Sequence, residues 1–125
     1  MTKNDVEDRV RAICMALPEV TERLSHGAPA FFVKKQFAAL MIESHHEHHF
    51  AQMWCAALPG AQQELIAMAP DLIFRPPYVG ARGWIGVRLN AKPDFDEIEM
   101  FCEDAYRAVA TKRQIALLER GPSIR

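Results

Sequence analysis

Apolar residues at Val6, Val10, Ile13, Cys14 and Leu17 recur at three- and four-residue steps, which predicts an amphipathic helix from about residue 5 to 17. Asn4 stands where an N-cap belongs, and Glu7 follows at the spacing of a capping box. Pro18 ends the segment, because proline has no N–H to donate and disfavours helical geometry just before itself. Beyond Glu19 the pattern changes to short strand-like runs, Val20–Ser25, Ala28–Val33, Phe37–Ile42 and Phe50–Ala56. His26-Gly27 links the first two, Lys34-Lys35-Gln36 the next, and the polar run Glu43–His49 precedes the fourth. Links this short favour antiparallel pairing, since parallel neighbours need a long crossover. The third and fourth runs are apolar at both parities, which predicts at least partial cover on both faces of the sheet.

Pro59-Gly60 opens a second helix that runs to about Ala69, with Leu65, Ile66 and Ala69 turned inward. Leu72–Arg75 is a short strand interrupted by Pro76-Pro77. Trp84–Leu89 alternates, with Ile85, Val87 and Leu89 on one face and Trp84, Gly86 and Arg88 on the other. The last long helix starts after Pro93, where Asp94 caps and Glu97 completes a second capping box; Ile98, Phe101, Cys102, Ala105 and Val109 form its stripe. Lys112–Arg120 continues as a further helical piece before Gly121-Pro122. No repeat and no long linker divides the chain, so residues 1–125 form one domain. The expected fold class is α+β: a two-layer sandwich with helices packed on one face of an antiparallel sheet.

Composition narrows the functional classes. The 125 residues are 50% hydrophobic and 25% charged, which excludes collagen-like and disordered chains. Lys and Arg number 15 against 16 acids, so a whole-surface basic field is absent and any nucleic-acid contact must come from a local patch. The polar start Met1–Asp5 argues against a secretory signal, and no stretch approaches the roughly 18 apolar residues of a membrane span. Cys14, Cys55 and Cys102 are far apart and set among apolar neighbours, as suits buried thiols in a reducing compartment. A cytoplasmic protein is expected.

Several segments together resemble the MmcQ/YjbR-like family. They are Leu17-Pro18-Glu19-Val20-Thr21-Glu22, His26-Gly27-Ala28-Pro29-Ala30-Phe31, Phe37-Ala38, Arg82-Gly83-Trp84-Ile85-Gly86-Val87 and Ala105-Tyr106, spanning nearly the whole chain in order. The resemblance implies a fold like that of CyaY, bacterial frataxin, with helices layered on an antiparallel sheet. It also implies DNA binding, by analogy of fold. Two positions depart from the family pattern: Ala81 precedes Arg82 where a second basic residue is common, and Ala105 stands where serine is common.

The residues themselves supply one patch that fits such a role. Leu72–Pro93 carries Arg75, Arg82, Arg88 and Lys92 without an acid, interleaved with Phe74, Tyr78 and Trp84. Guanidinium forks suit phosphate and aromatic faces suit bases, and Lys34 and Lys35 in a hairpin turn extend the charge. The plain structural alternative is that Tyr78 and Trp84 plug the core edge while the arginines are solvated or ion-paired. His26, in the His-Gly-x-Pro turn, either holds that turn or contacts a ligand. The run His45, His46, Glu47, His48, His49 has metal-binding chemistry, but a hairpin tip offers no neighbouring groups to fix the imidazoles, so no metal site or cofactor is expected. The acids that open the last helix complement its dipole and would repel phosphate. No cysteine lies beside a histidine and no nucleophile elbow or phosphate-cradling loop occurs, so nothing points to catalysis. Three readings stay open: a nucleic-acid-binding sheet face, a protein or homodimer surface, and a small-molecule pocket between His26, Trp84 and the last long helix. The open sheet face also calls for a cover, which a partner or the piece Lys112–Arg120 would supply.

Overall fold

The structure is a computed structural model that describes residues 3–41, 51–89 and 93–121. Helix α1 spans Lys3–Met15 and leads into strands β1 (Thr21–Ser25), β2 (Ala28–Phe32), β3 (Gln36–Met41) and β4 (Gln52–Cys55). Helix α2 (Ala61–Met68), strand β5 (Ile73–Phe74), a 3-10 turn (Val79–Arg82) and strand β6 (Ile85–Arg88) follow, and α3 (Phe95–Val109) and α4 (Lys112–Arg120) close the chain. The strands form one sheet in the order β1-β2-β3-β4-β6-β5, antiparallel at every step. This is the expected α+β sandwich.

Alternation along the central strands builds the core. Leu40, Met53 and Val87 form one cross-strand row and Cys55 and Ile85 another, all buried toward the helices. A bulge between β2 and β3 pairs Phe31 with Ala38 but Phe32 with Gln36, leaving Phe37 as the extra residue. That offset sends the Phe37 ring into the helix layer, edge-on to Tyr106 with centroids 6.0 Å apart. Helices α1 and α3 meet at Cys14 and Cys102, whose sulfurs lie 3.7 Å apart, and Cys102 is also 3.7 Å from Met53 Sδ. All three thiols are free and buried; contact with Cys102, then burial, pushes the Cys14 thiol far up, and burial does the same to Cys55.

Several boundaries differ from the periodic reading. Helix α1 already includes Lys3, so Asn4 lies inside it and is not its cap, and the helix stops at Met15, short of Leu17. Asp94 does cap α3, accepting from the N–H groups of Asp96 and Glu97, but the complete capping box is at α4, between Thr111 and Gln114. Helix α4 docks on the helix side, where the Tyr106 hydroxyl reaches Gln114 O at 3.3 Å and Arg107 pairs with Glu119 at 2.8 Å. It therefore does not cover the opposite sheet face. On that face Tyr78, Val79, Arg82 and Trp84 line a cavity together with Trp54 and leave part of the sheet open among the described residues. Among the described residues, no helix is long and apolar enough to cross a membrane.

Candidate functional site

The sheet face turned away from α1 and α3 is low along its centre because its residues are small. Ala30 pairs with Ala39, Ala39 with Trp54, Trp54 with Gly86, and Gly86 with Phe74, so one row crosses five strands with a single indole standing above alanines and glycine. Gly86 makes room for the Phe74 ring, since a Cβ there would sit 2.3 Å from Phe74 Cζ and the ring would have to shift. The Arg88 guanidinium lies 4.9 Å from the centre of the same ring. Trp84 precedes Gly86 by two residues and so shares this face.

The wall over this floor is built by the segment after β5. Pro76 is fully buried and fixes its start. Tyr78 then adopts φ 64° and ψ −71°, and the Val79 N–H donates to Pro77 O at 2.6 Å. This is the rarer, strained form of γ-turn, in a backbone region that side chains avoid. Gly80 accommodates Arg75, since a Cβ would stand 2.7 Å from Arg75 Cγ, and its N–H donates to Pro76 O at 3.1 Å. Gln62 of α2 pins the far end: its Nε2 donates to Gly80 O at 2.8 Å and to Trp84 O at 2.6 Å.

Floor and wall enclose a cavity of about 580 Å³. Ala28, Ala39, Met41, Trp54, Val79 and Trp84 give it an apolar lining, and Ser25, His26, Gln36, Tyr78 and Arg82 supply the polar groups. Among the described residues, Arg82 is the one lining residue with a full positive charge, and none of the lining residues carries a carboxylate. Its guanidinium lies 5.2 Å from the centre of the Trp84 ring. Trp84 is only 6% exposed, whereas Tyr78 is 75% exposed. The indole is thus a support for Arg82, and the aromatic face offered to solvent is that of Tyr78.

The other expected residues distribute unevenly. His26 and Gly27 both have positive φ, 53° and 79°, as a two-residue hairpin turn with the sheet's twist requires, and His26 also lines the cavity. Lys34 and Lys35 are exposed in the β2–β3 turn, at the sheet end that holds Gln36 and Trp84. Arg75 flanks the same end from the edge beyond β5, exposed and without an ion pair among the described residues. Arg88 shares the face but stands at the other end of β6, opposite Gln52, and is half-buried. The pocket expected between His26, Trp84 and the last long helix is corrected in one respect: His26 and Trp84 line one cavity, but α3 lies on the opposite side of the sheet. Ala105, the second departure from the family pattern, is fully buried in α3 and so remote from this cavity. The His45–His49 run and Lys92 lie outside the described residues. Within the described residues no group of three or more His, Cys, Asp or Glu side chains is placed to hold a metal ion.

Trp54, Gln36 and Gln62 were not foreseen as site residues. Trp54 was marked only by its place in an apolar strand. Gln62 carries no local signal, because its two acceptors lie 18 and 22 residues away in the chain.

Comparison with known proteins agrees with this architecture. The crystal structure of Deinococcus radiodurans protein DR2400, with domain DUF419, superposes with a TM-score of 0.72 at 18% identity, covering 95% of each chain. At that identity the likeness speaks for the fold. No curated protein matches the sequence. The family model for YjbR matches residues 15–108, three quarters of the chain and the whole of the sheet, and on that match the chain belongs to the YjbR family.

Proposed function

We propose that the open sheet face is a binding surface for single-stranded nucleic acid, with an unpaired base entering the cavity and phosphates following the cations around it. The observation that carries this reading is the union of Arg82, held over Trp84, with the exposed Tyr78 ring in the lining of a cavity that has no carboxylate among its described residues. Bases stack on aromatic rings whatever their identity, and guanidinium forks suit phosphate. Lys34, Lys35 and Arg75 lie toward the same end of the sheet and make no ion pair among the described residues. A duplex fits less well, because major-groove reading needs a protruding helix or ribbon, and α1, α3 and α4 sit on the other face. The free thiols favour a reducing compartment, which supports a cytoplasmic setting.

Fluorescence anisotropy with labelled single-stranded and duplex oligonucleotides, at low and moderate salt, tests the proposal. Single strands should bind more tightly, the affinity should fall steeply with salt, and Arg82→Ala should weaken it. Absence of binding at low salt, or an unchanged affinity for Arg82→Ala, rejects it. A homodimer is a second reading, favoured by the edge strand β1, whose Leu24 is 76% exposed. Sedimentation over a range of concentrations decides it, since a strict monomer excludes this reading.

A further inference from the structure

We infer that the cavity is a self-contained subsite for one planar ring carrying one anionic group, with a nucleoside monophosphate as its type ligand, Tyr78 as the ring contact and Arg82 as the anion contact. The inference rests on the proposed binding role of this face and states what unit the site accepts. Size is the first argument. A cavity of about 580 Å³ lies within the range that pre-formed small-ligand sites occupy, roughly 300–1,000 Å³. It is bounded on one side by the hairpin turn Ser25–His26 and on the other by Val79–Trp84, so a single ring is enclosed on two sides.

Charge is the second argument. Among the described residues Arg82 is the one Lys or Arg in the lining, with Lys34, Lys35, Arg75 and Arg88 outside it, and no described lining residue is an acid. The described lining therefore offers charge for one phosphate, and Lys34, Lys35 and Arg75 lie where only a longer strand would reach them. Arg82 is also oriented in advance, because its guanidinium rests on the Trp84 ring while the residue remains exposed.

The third argument is the wall. Tyr78 is 75% exposed and is held in a strained γ-turn. Such strain persists only where the surroundings over-determine it. Here they do so from both ends: Pro76 and Pro77 restrict the entry, and Gln62 holds Gly80 and Trp84 through two hydrogen bonds. The ring is thereby set at the mouth before any ligand arrives, which lowers the ordering cost of binding. Gln62 is a positioning residue in this scheme, since it acts on the wall and not on the ligand.

The experiment titrates the full chain with AMP, adenosine and inorganic phosphate, read by tryptophan fluorescence, and repeats the AMP titration as a competition against a labelled single-stranded oligonucleotide. AMP should saturate one site, displace the oligonucleotide, and bind at least tenfold more tightly than adenosine or phosphate. Arg82→Gln should reduce AMP to the affinity of adenosine and leave adenosine unchanged. Tyr78→Ala should weaken AMP and adenosine alike, and Tyr78→Phe should restore both. Gln62→Ala should weaken AMP while thermal denaturation shows the fold retained. If the oligonucleotide binds but AMP neither binds nor competes, the subsite is refuted and the strand-binding role stands. If neither binds, both fall. AMP binding that ignores Arg82→Gln overturns the assignment of the anion contact.

Discussion

The two sides of the sheet treat arginine differently. On the helix side Arg11 bonds Glu7 at 2.7 Å and Glu22 at 2.9 Å, Arg107 bonds Glu119 at 2.8 Å, and Arg113 bonds Glu19 at 2.6 Å. On the open face Arg23 lies 4.0 Å from the Phe32 ring centre, Arg82 5.2 Å from Trp84 and Arg88 4.9 Å from Phe74. A carboxylate neutralises a guanidinium and ties two chain segments together, whereas a ring orients it without cancelling its charge. The division is not complete, since Arg9 on the helix side rests 4.2 Å from the Phe95 ring centre, but among the described residues every arginine–carboxylate pair lies on the helix side. Under the proposed function, the contrast gives the first face a part in stability and the second a part in binding.

Perturbing the core tests that division most strongly. Phe37→Ala removes a fully buried ring that is edge-on to Tyr106 and should cost about 3–5 kcal/mol in chemical denaturation. Gly86→Ala forces a methyl group into the Phe74 ring and should cost about 1–3 kcal/mol, because ring and strand must part. It should also move Arg88, which rests on that ring, so it is the one open-face change expected to affect folding. Tyr106→Phe deprives Pro18 O of a 3.0 Å hydrogen bond and should cost about 1–2 kcal/mol. A matched pair sharpens the comparison further. Arg11→Met should destabilise by about 1 kcal/mol through loss of a shared network, while Arg82→Met should change stability by no more than about 0.5 kcal/mol yet abolish anion-dependent binding. Equal effects of the two on the denaturation midpoint would erase the distinction between the faces.

The helix side was largely legible in the sequence and the cavity was not, for a physical reason. Helical and alternating apolar positions report a local geometry, so Val10 and Cys14, or Ile85 and Val87, reveal their elements without knowledge of what they touch. The alternation also placed Trp84 and Arg88 on one face correctly. Capping was ambiguous because Asn4 and Asp94 carry equally good signals, and only Asp94 ends up outside its helix. The cavity depends instead on a segment folding back, on Gln62 reaching across 22 residues, and on a backbone strain at Tyr78 that its residue type does not announce. Nor does spacing disclose which arginines are neutralised: Arg113 finds Glu19 at a separation of 94 residues. The basic-aromatic stretch therefore includes the wall, but the pattern treats Tyr78 and Trp84 alike, whereas Trp84 is buried and Tyr78 is exposed.

The smallest expected effect concerns acid. Hydrogen bonds from Arg113 and then Gln114 hold the Glu19 carboxyl below its ordinary value. The unfolded chain then binds that proton more readily than the folded one, so the contribution is present above the usual carboxylate value of about 4.3 and is lost as pH falls through the depressed one. The pair is exposed, so the loss is small, and Glu19→Gln should flatten this part of the acid limb. Asp104 has the opposite sign: burial, and then Glu103, raise its carboxyl, so its contribution declines as pH climbs from the ordinary value through the raised one. Asp104→Asn should accordingly raise stability at neutral pH, and denaturant midpoints measured across the acid range check both slopes. Both carboxyls lie outside the cavity lining, so the same two variants should leave oligonucleotide affinity at neutral pH unchanged. A change in affinity with either variant would mean that the helix layer and the open face act as one electrostatic unit, and the division between a structural and a binding side would no longer hold.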